Sequence, residues 1–351
     1  MKTADVFVTG AGGWLGQNLI EFLAGEGPAK LGLKVQKLTA LLAPGEDEAA
    51  LRAIHPELQI ARGDLRLRSS LGDFLADARG GIVIHAAGLI HPRRPHELFA
   101  VNRDGTRHLL EQATIAGANR VVVVSSNSPC GCNPHPDHRF DEDSPYRPYL
   151  SYGRSKMEME QAVRRCHEAG DVETVIIRAP WFYGPRQPPR QKLFFEMIRR
   201  GKVPIVGSGE NLRSMAYVQN LAQGLVLAAT HPAAAGQTYW IADERPYSMN
   251  EIIGTIERLM EEEFGQTCAH RRVRLPSALS SVAYVFDAIL QSLDRYHQKI
   301  HVLSEMNKTI ACSVAKAQRE LGYRPEVSLE EGMRRSLAEI YGSRTDGALT
   351  Q

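Results

Sequence analysis

The chain has 351 residues with 42 Lys+Arg against 40 Asp+Glu, a formal charge of +2. That length suits one large α/β unit with a smaller appended lobe, and the charge balance gives no electrostatic argument for nucleic acid or an anionic membrane as a general partner. Five cysteines, Cys130, Cys132, Cys166, Cys268 and Cys312, supply neither a disulfide framework nor a paired C-x-x-C site, so no metal and a reducing, cytoplasmic setting are expected. Met1 to Asp5 leads straight into an apolar run, and no apolar stretch reaches the roughly eighteen residues of a membrane span, so a soluble protein without a cleaved leader is expected.

Val6-Phe7-Val8 reads as a buried strand and runs into Thr9-Gly10-Ala11-Gly12-Gly13-Trp14-Leu15-Gly16, followed by Leu19, Ile20, Phe22 and Leu23 at helical spacing. Strand, glycine turn and helix in that order form a cradle for a dinucleotide. Glycines let the backbone turn sharply and approach a pyrophosphate, and the helix N-terminus adds free N–H groups and a partial positive charge. Gly10, Gly13 and Gly16 are spaced differently from the ordinary G-x-G-x-x-G.

Lys37–Leu42 is the second predicted strand. Beyond it stand Ala43-Pro44-Gly45 and then the acids Glu46 and Asp47. An acid near this point suits the ribose hydroxyls of NAD and an arginine suits the phosphate of NADP, so Glu46 and Asp47 favour NAD without excluding NADP. Leu58–Ala61 reads as the third strand, followed by Gly63-Asp64-Leu65, and Ile82–Ile84 as the next, followed by His85-Ala86-Ala87-Gly88. Val121–Val124 is a β-branched run of the kind found in central strands covered on both faces, ending in Ser125-Ser126-Asn127. The Pro- and Asp-rich stretch 133–148 is a loop by its turn chemistry. Its place between Ser126 and Tyr152 predicts a position over the site.

Tyr152 and Lys156 stand four residues apart, which on a helix puts both side chains on one face. A phenol is a poor acid or base at neutral pH, and a neighbouring ammonium favours its ionised form. The pair suits proton transfer to or from a substrate hydroxyl.

Thr9-Gly10-x-x-Gly13-x-x-Gly16 with Tyr152-x-x-x-Lys156 resembles the extended short-chain dehydrogenase/reductase family, which includes nucleotide-sugar epimerases and dehydratases and 3β-hydroxysteroid dehydrogenases. Val101-Asn102-x-x-Gly105-Thr106 and Ile176-Ile177-Arg178-Ala179-Pro180 extend the likeness. It implies an α/β fold with a Rossmann-type doubly wound parallel sheet and a smaller C-terminal substrate lobe. The resemblance places the cofactor on Gly10, Gly13, Trp14, Leu15, Gly16, Asp64, Leu65, Ala86, Ala87, Gly88, Tyr152, Lys156 and Pro180. It makes Tyr152 the acid/base, Lys156 the residue that tunes it and holds the nicotinamide ribose, and Ser126 the hydroxyl that orients the reacting oxygen. Ser126, Asn127, Cys130, Arg186 and Arg213 become candidates for substrate contact. Arg213, in Gly207–Val218, matches the arginine that such enzymes set against a diphosphate, for which a guanidinium's forked donors are suited.

Two departures matter. Sugar 4,6-dehydratases carry an acidic pair directly after the active-site hydroxyl residue, and Asn127-Ser128 stand there instead, which disfavours elimination. Pro129-Cys130-Gly131 replaces the Val-Tyr-Gly of many relatives and alters the pocket wall.

The expected division is a cofactor domain at 1–180 and a substrate lobe at 181–345, with about 216–242 returning to the first. A hydrophobic-period segment, Pro276–Leu293, reads as an amphipathic core or lid helix. The expected function is hydride transfer at a hydroxyl-bearing carbon of a nucleotide sugar. The alternatives are a dehydrogenase or reductase of a hydrophobic alcohol, such as a sterol, and a non-catalytic cofactor sensor. The family pattern also implies a homodimer, with Met157, Met159 and Val163 as candidate contacts.

Overall fold

The computed structural model describes residues 1–342; the last part of the expected second lobe, 343–345, lies outside them. Seven parallel strands form the central sheet: β1 Lys2–Thr9, β2 Leu33–Leu42, β3 Gln59–Arg62, β4 Ile82–His85, β5 Arg120–Ser126, β6 Glu173–Ala179 and β7 Thr238–Trp240. Their order is β7-β6-β5-β4-β1-β2-β3. The chain therefore winds outward from β1 to β3, then restarts at β4 on the other side of β1. At that switch point Thr9 pairs with His85, and the crevice beyond the two strand ends is where such sheets bind ligands.

Nine helices of eight or more residues occur among the described residues: α1 Trp14–Ala24, α2 Thr106–Ala116, α3 Leu150–Glu168, α4 Pro189–Arg199, α5 Val218–Thr230, α6 Met249–Glu262, α7 Ser277–Ser292, α8 Gln298–Glu305 and α9 Leu329–Tyr341. One apolar cluster lies under α1 and α5 and another under α2 and α3, so both faces of the sheet are covered. This explains why β4 is buried at every residue and reads as an unbroken apolar run. A third cluster joins α4, α6 and α9 around Tyr183, Met215 and Tyr217 and forms the core of the smaller lobe. Ser248 and Ser328 cap α6 and α9 by accepting from the backbone N–H of Glu251 and Glu331, a Ser-x-x-Glu pattern at each start.

The predicted strands are present; most extend beyond the apolar runs, while β3 keeps the expected length shifted by one residue. β7, far along the chain, pairs with β6, Trp240 opposite Arg178. Loop 133–148 is pinned down rather than free. Phe140 stacks on Trp240 and bridges to Cys312, while the Trp240 ring N–H donates to the carbonyl of Asp141. Met159 and Val163 are sealed in the monomer core, leaving Met157 half-buried as the remaining member of the expected dimer contact.

The predicted amphipathic helix exists as α7, and its orientation is the reverse of that expected of a core helix. Its buried residues are Ser280, Ala283, Asp287 and Gln291, whereas Leu279, Val282, Val285, Phe286, Ile289 and Leu293 are exposed. Periodicity separates the two faces of a helix; it does not say which face turns inward.

Candidate active site

The glycine turn is built by close approach. Gly10 has φ +71°, and a Cβ there would lie 2.6 Å from the Ala87 nitrogen on the facing strand end. A Cβ on Gly16 would run into the Gly10 carbonyl oxygen. Gly13 is the N-cap of α1 and bears no side chain to occupy the first-turn N–H groups, which lack intrahelical acceptors. Trp14 donates its ring N–H to the Pro185 carbonyl at 2.8 Å and packs on Phe182, so it ties the turn to the second lobe. Leu15 is buried beneath the turn.

The acid following β2 comes back to this turn. Glu46 accepts from the Ala43 N–H at 2.9 Å, and its carboxylate lies 3.2 Å from the Cβ position of Gly12. A carboxylate beside the turn suits ribose hydroxyls and repels a 2′-phosphate. Asp64 is engaged by Arg66 through paired hydrogen bonds of 3.0 and 2.5 Å, which hold its carboxyl below the usual carboxylate range. Leu65 packs against Gly105, and Pro180 is buried at the end of β6.

Tyr152 and Lys156 project from α3 toward the ends of β4 and β5. The Ser126 hydroxyl lies near Tyr152, donates to the Asn127 side-chain oxygen at 3.4 Å and accepts from the Ser128 N–H at 3.3 Å. The Lys156 ammonium donates to the Val124 carbonyl at 2.9 Å and faces Gly88, whose Cβ position is 3.8 Å away. Burial lowers the Lys156 pKa to about 8, partly opposed by the Glu160 charge. Tyr152 departs from the expectation of a depressed phenol: burial pushes it up to about 12, offset in part by the Ser126 hydrogen bond and reinforced by the Glu305 charge. Lys156 spends its contacts on Val124 and on the Met159 sulfur at 3.2 Å. The group presents a protonated phenol at neutral pH with a cation buried one turn along the helix.

Three residues stand behind these and hold them in place. Asn102, on the π-helical turn Phe99–Gly105 that leads into α2, accepts from the Leu89 N–H and donates to the Leu89 carbonyl and to the Ser155 hydroxyl. His85 bridges Thr9 at 2.6 Å and Thr106 at 2.9 Å, and burial with the nearby Lys156 charge holds it neutral, with a pKa of about 3. Glu160 pairs with Arg178 in the core and also accepts from Ser125 and Tyr146. The sequence signal for Glu160 was its spacing, since Tyr152, Lys156 and Glu160 recur every fourth residue on one helix face.

Two expected substrate residues go elsewhere. Cys130 is 1 % exposed and sits in the core beside the Ser144 carbonyl, its thiol raised to about 11 by burial. It does not face the site, because the turn at Pro129-Cys130-Gly131 points it inward. Arg186 pairs with Glu21 on α1 at 2.9 Å, and its backbone N–H donates to Glu339. Arg213 donates through one Nη to the Glu305 carbonyl, while its Nε is buried with no partner.

The α7–α8 hairpin roofs this end of the molecule with polar groups. Asp287 pairs with His301 at 2.7 Å and accepts from Gln291, whose side-chain oxygen accepts from the Ser151 N–H directly before Tyr152. Tyr149 hydrogen-bonds Ser304 at 2.8 Å.

The model of the NAD dependent epimerase/dehydratase family matches residues 6–242. The chain belongs to that family. It is accordingly an enzyme of NAD-dependent chemistry, and the residues present fit the cofactor: glycines that leave no room for side chains, an uncapped helix start, and a buried ammonium facing Gly88. It is 52 % identical to the protein y4nL of Sinorhizobium fredii over 95 % of this chain and 94 % of that one. It is 27 % identical to 3beta-hydroxysteroid-dehydrogenase/decarboxylase isoform 1 of Arabidopsis thaliana, over 94 % and 78 % of the respective chains. Its fold is similar to that of DesIV, a dTDP-glucose 4,6-dehydratase from Streptomyces venezuelae solved with NAD bound. The TM-score is 0.75 at 24 % identity, covering 97 % and 98 % of the two chains.

Proposed function

We propose that this enzyme oxidises and re-reduces a hydroxyl-bearing ring carbon of a nucleotide-linked sugar, as an epimerase or, with net turnover, as a ketosugar reductase. The observation that carries the reading is the Tyr152/Lys156 pair on one face of α3, with the Lys156 ammonium buried and facing Gly88 and the Ser126 hydroxyl at the end of β5 near the phenol. NAD, when bound, supplies the acceptor and donor of the hydride. Ser126 and Tyr152 hold the substrate oxygen between two hydroxyls. In reduction Tyr152, protonated at rest, gives its proton to the carbonyl oxygen; in oxidation Tyr152 first releases its proton to solvent, and the phenolate then takes the proton of the substrate hydroxyl. The Lys156 charge stabilises the phenolate formed then.

Arg213 supports a diphosphate-bearing substrate. Its unpartnered Nε is a buried donor, and such groups nearly always have a partner, which a phosphate oxygen would supply. Asn127 and Ser128 offer no carboxylate, so dehydration is the less favoured reaction.

A second reading, oxidation of a hydrophobic alcohol, draws on the relative named as a 3beta-hydroxysteroid dehydrogenase. Proton NMR of UDP- and dTDP-sugars, and of a 3β-hydroxysteroid, incubated with the protein and NAD separates the two. Tyr152→Phe should lower kcat by about 10²- to 10⁴-fold with NADH binding retained. Arg213→Ala should raise KM for a nucleotide sugar and leave a sterol untouched. Full activity of the Tyr152 variant would sink both readings.

A further inference from the structure

Helix α7 is amphipathic with its polar side inward, and it cannot turn over. Ser280 donates to the Ser304 carbonyl, Asp287 is held by His301 and Gln291, and Gln291 caps the N–H of Ser151. Rotating the apolar side inward would strand the buried Asp287–His301 pair. The outer side is thereby fixed as a stripe at helical spacing: Leu279, Val282, Val285, Phe286, Ile289 and Leu293, with Val282 64 % and Leu293 66 % exposed. Val302, on the α8 helix packed along α7, is exposed as well. A contiguous exposed stripe of this kind marks an interaction site.

The charges around the stripe indicate its occupant. Arg271 and Arg274 are exposed just before α7, and Arg295 and Lys299 just after it. Between Val273 and Val302 there are two acids: Asp287, fully buried, and Asp294, paired with His96 at 2.7 Å. An apolar strip about 24 Å long, from sixteen residues at 1.5 Å each, with cations at both ends, is the pattern of a helix lying in a bilayer interface. A second copy fits less well, because a two-fold contact through this face brings the same cationic ends together with one exposed acid between them, Asp294, which is already paired with His96. No helix among the described residues is long and apolar enough to cross a membrane, so contact would be with one leaflet.

We propose that the outer face of α7 docks this protein onto an anionic lipid surface, against the expectation from net charge that no membrane is involved. Net charge hides the feature because the cations flanking α7 are offset by acids elsewhere in the chain. Since the inner face of the same helix holds Ser151, docking sets the Tyr152 site at the lipid surface. The proposal stands apart from the substrate reading.

The test is cosedimentation of the full chain with vesicles of phosphatidylcholine alone or mixed with phosphatidylglycerol, at low and high salt. Binding to the mixed vesicles that weakens with salt is expected, with little binding to the neutral ones. Val282→Ser/Phe286→Ser/Ile289→Ser should lower the partition by about tenfold or more, as should Arg271→Glu/Arg274→Glu/Arg295→Glu. Tyr152→Phe should sediment as the parent does, which separates docking from catalysis. Protein remaining in the supernatant with the anionic vesicles overturns the proposal. So does a serine variant that changes a dimer to a monomer in sedimentation velocity while leaving the vesicle fraction unaltered, since the face would then be a contact between copies. The charge-reversal variant is the second probe should the serine variant fail to fold.

Discussion

Glu160 and Arg178 form an ion pair at 2.9 Å with both side chains withdrawn from solvent, one helical turn beyond Lys156 and against the hydroxyl of Ser125. The guanidinium lies between the rings of Tyr146 and Trp240. Replacing Arg178 alone with methionine leaves Glu160 charged and buried, and should cost about 3–5 kcal/mol in urea unfolding. Adding Glu160→Gln should recover part of that loss.

Lys156 is expected to cost the fold stability at neutral pH. Its pKa falls from 10.5 to about 8 on burial, so the unfolded chain binds more protons between those values and stability rises with pH across that window. Lys156→Met should abolish turnover and yet gain about 1–3 kcal/mol at pH 7, part of the gain being offset by the lost bond to Val124. The gain should shrink toward zero above pH 10. Thermal melts of both proteins from pH 7 to 10.5 check this; a constant difference would refute it.

His301 gives the opposite slope. Burial opposes its charge, but the hydrogen bond to Asp287 and the Glu305 charge prevail and raise its pKa above 6.5. Its pairing contributes fully below that value and is lost as pH rises through the raised one. Hydrogen exchange of α8 should therefore be slowest near pH 6, after correction for intrinsic rates, and His301→Gln should remove the dependence.

Gly10 and Gly80 share a left-handed backbone, φ +71° and +70°, with different surroundings. Gly80 has open space where a Cβ would go, so Gly80→Ala should cost about 1 kcal/mol from the backbone alone. Gly10→Ala adds a collision with Ala87 and should weaken NADH binding, measured by fluorescence, as well as destabilise the fold.

What could be read from the chain was local. The glycine turn, the β-branched strands and the Tyr152/Lys156 spacing each lie within a few residues, where backbone geometry dictates the pattern. What escaped depended on distant partners. Arg186 meets Glu21 from 165 positions away, and no spacing rule encodes that. Cys130 was misplaced because a turn decides its direction. The Tyr152–Lys156 spacing predicts a depressed phenol; burial raises it instead, and Lys156 is bound to Val124. The outward apolar side of α7 follows from the Asp287–His301 pair, which only the folded hairpin brings together.

Asn102 joins the loop at Leu89 to Ser155, in the turn between Tyr152 and Lys156. The wall that would meet the nicotinamide and the helix that bears the phenol are therefore one rigid block. In the proposed reaction the proton donor and the cofactor wall would then shift as one body, held together by a single asparagine.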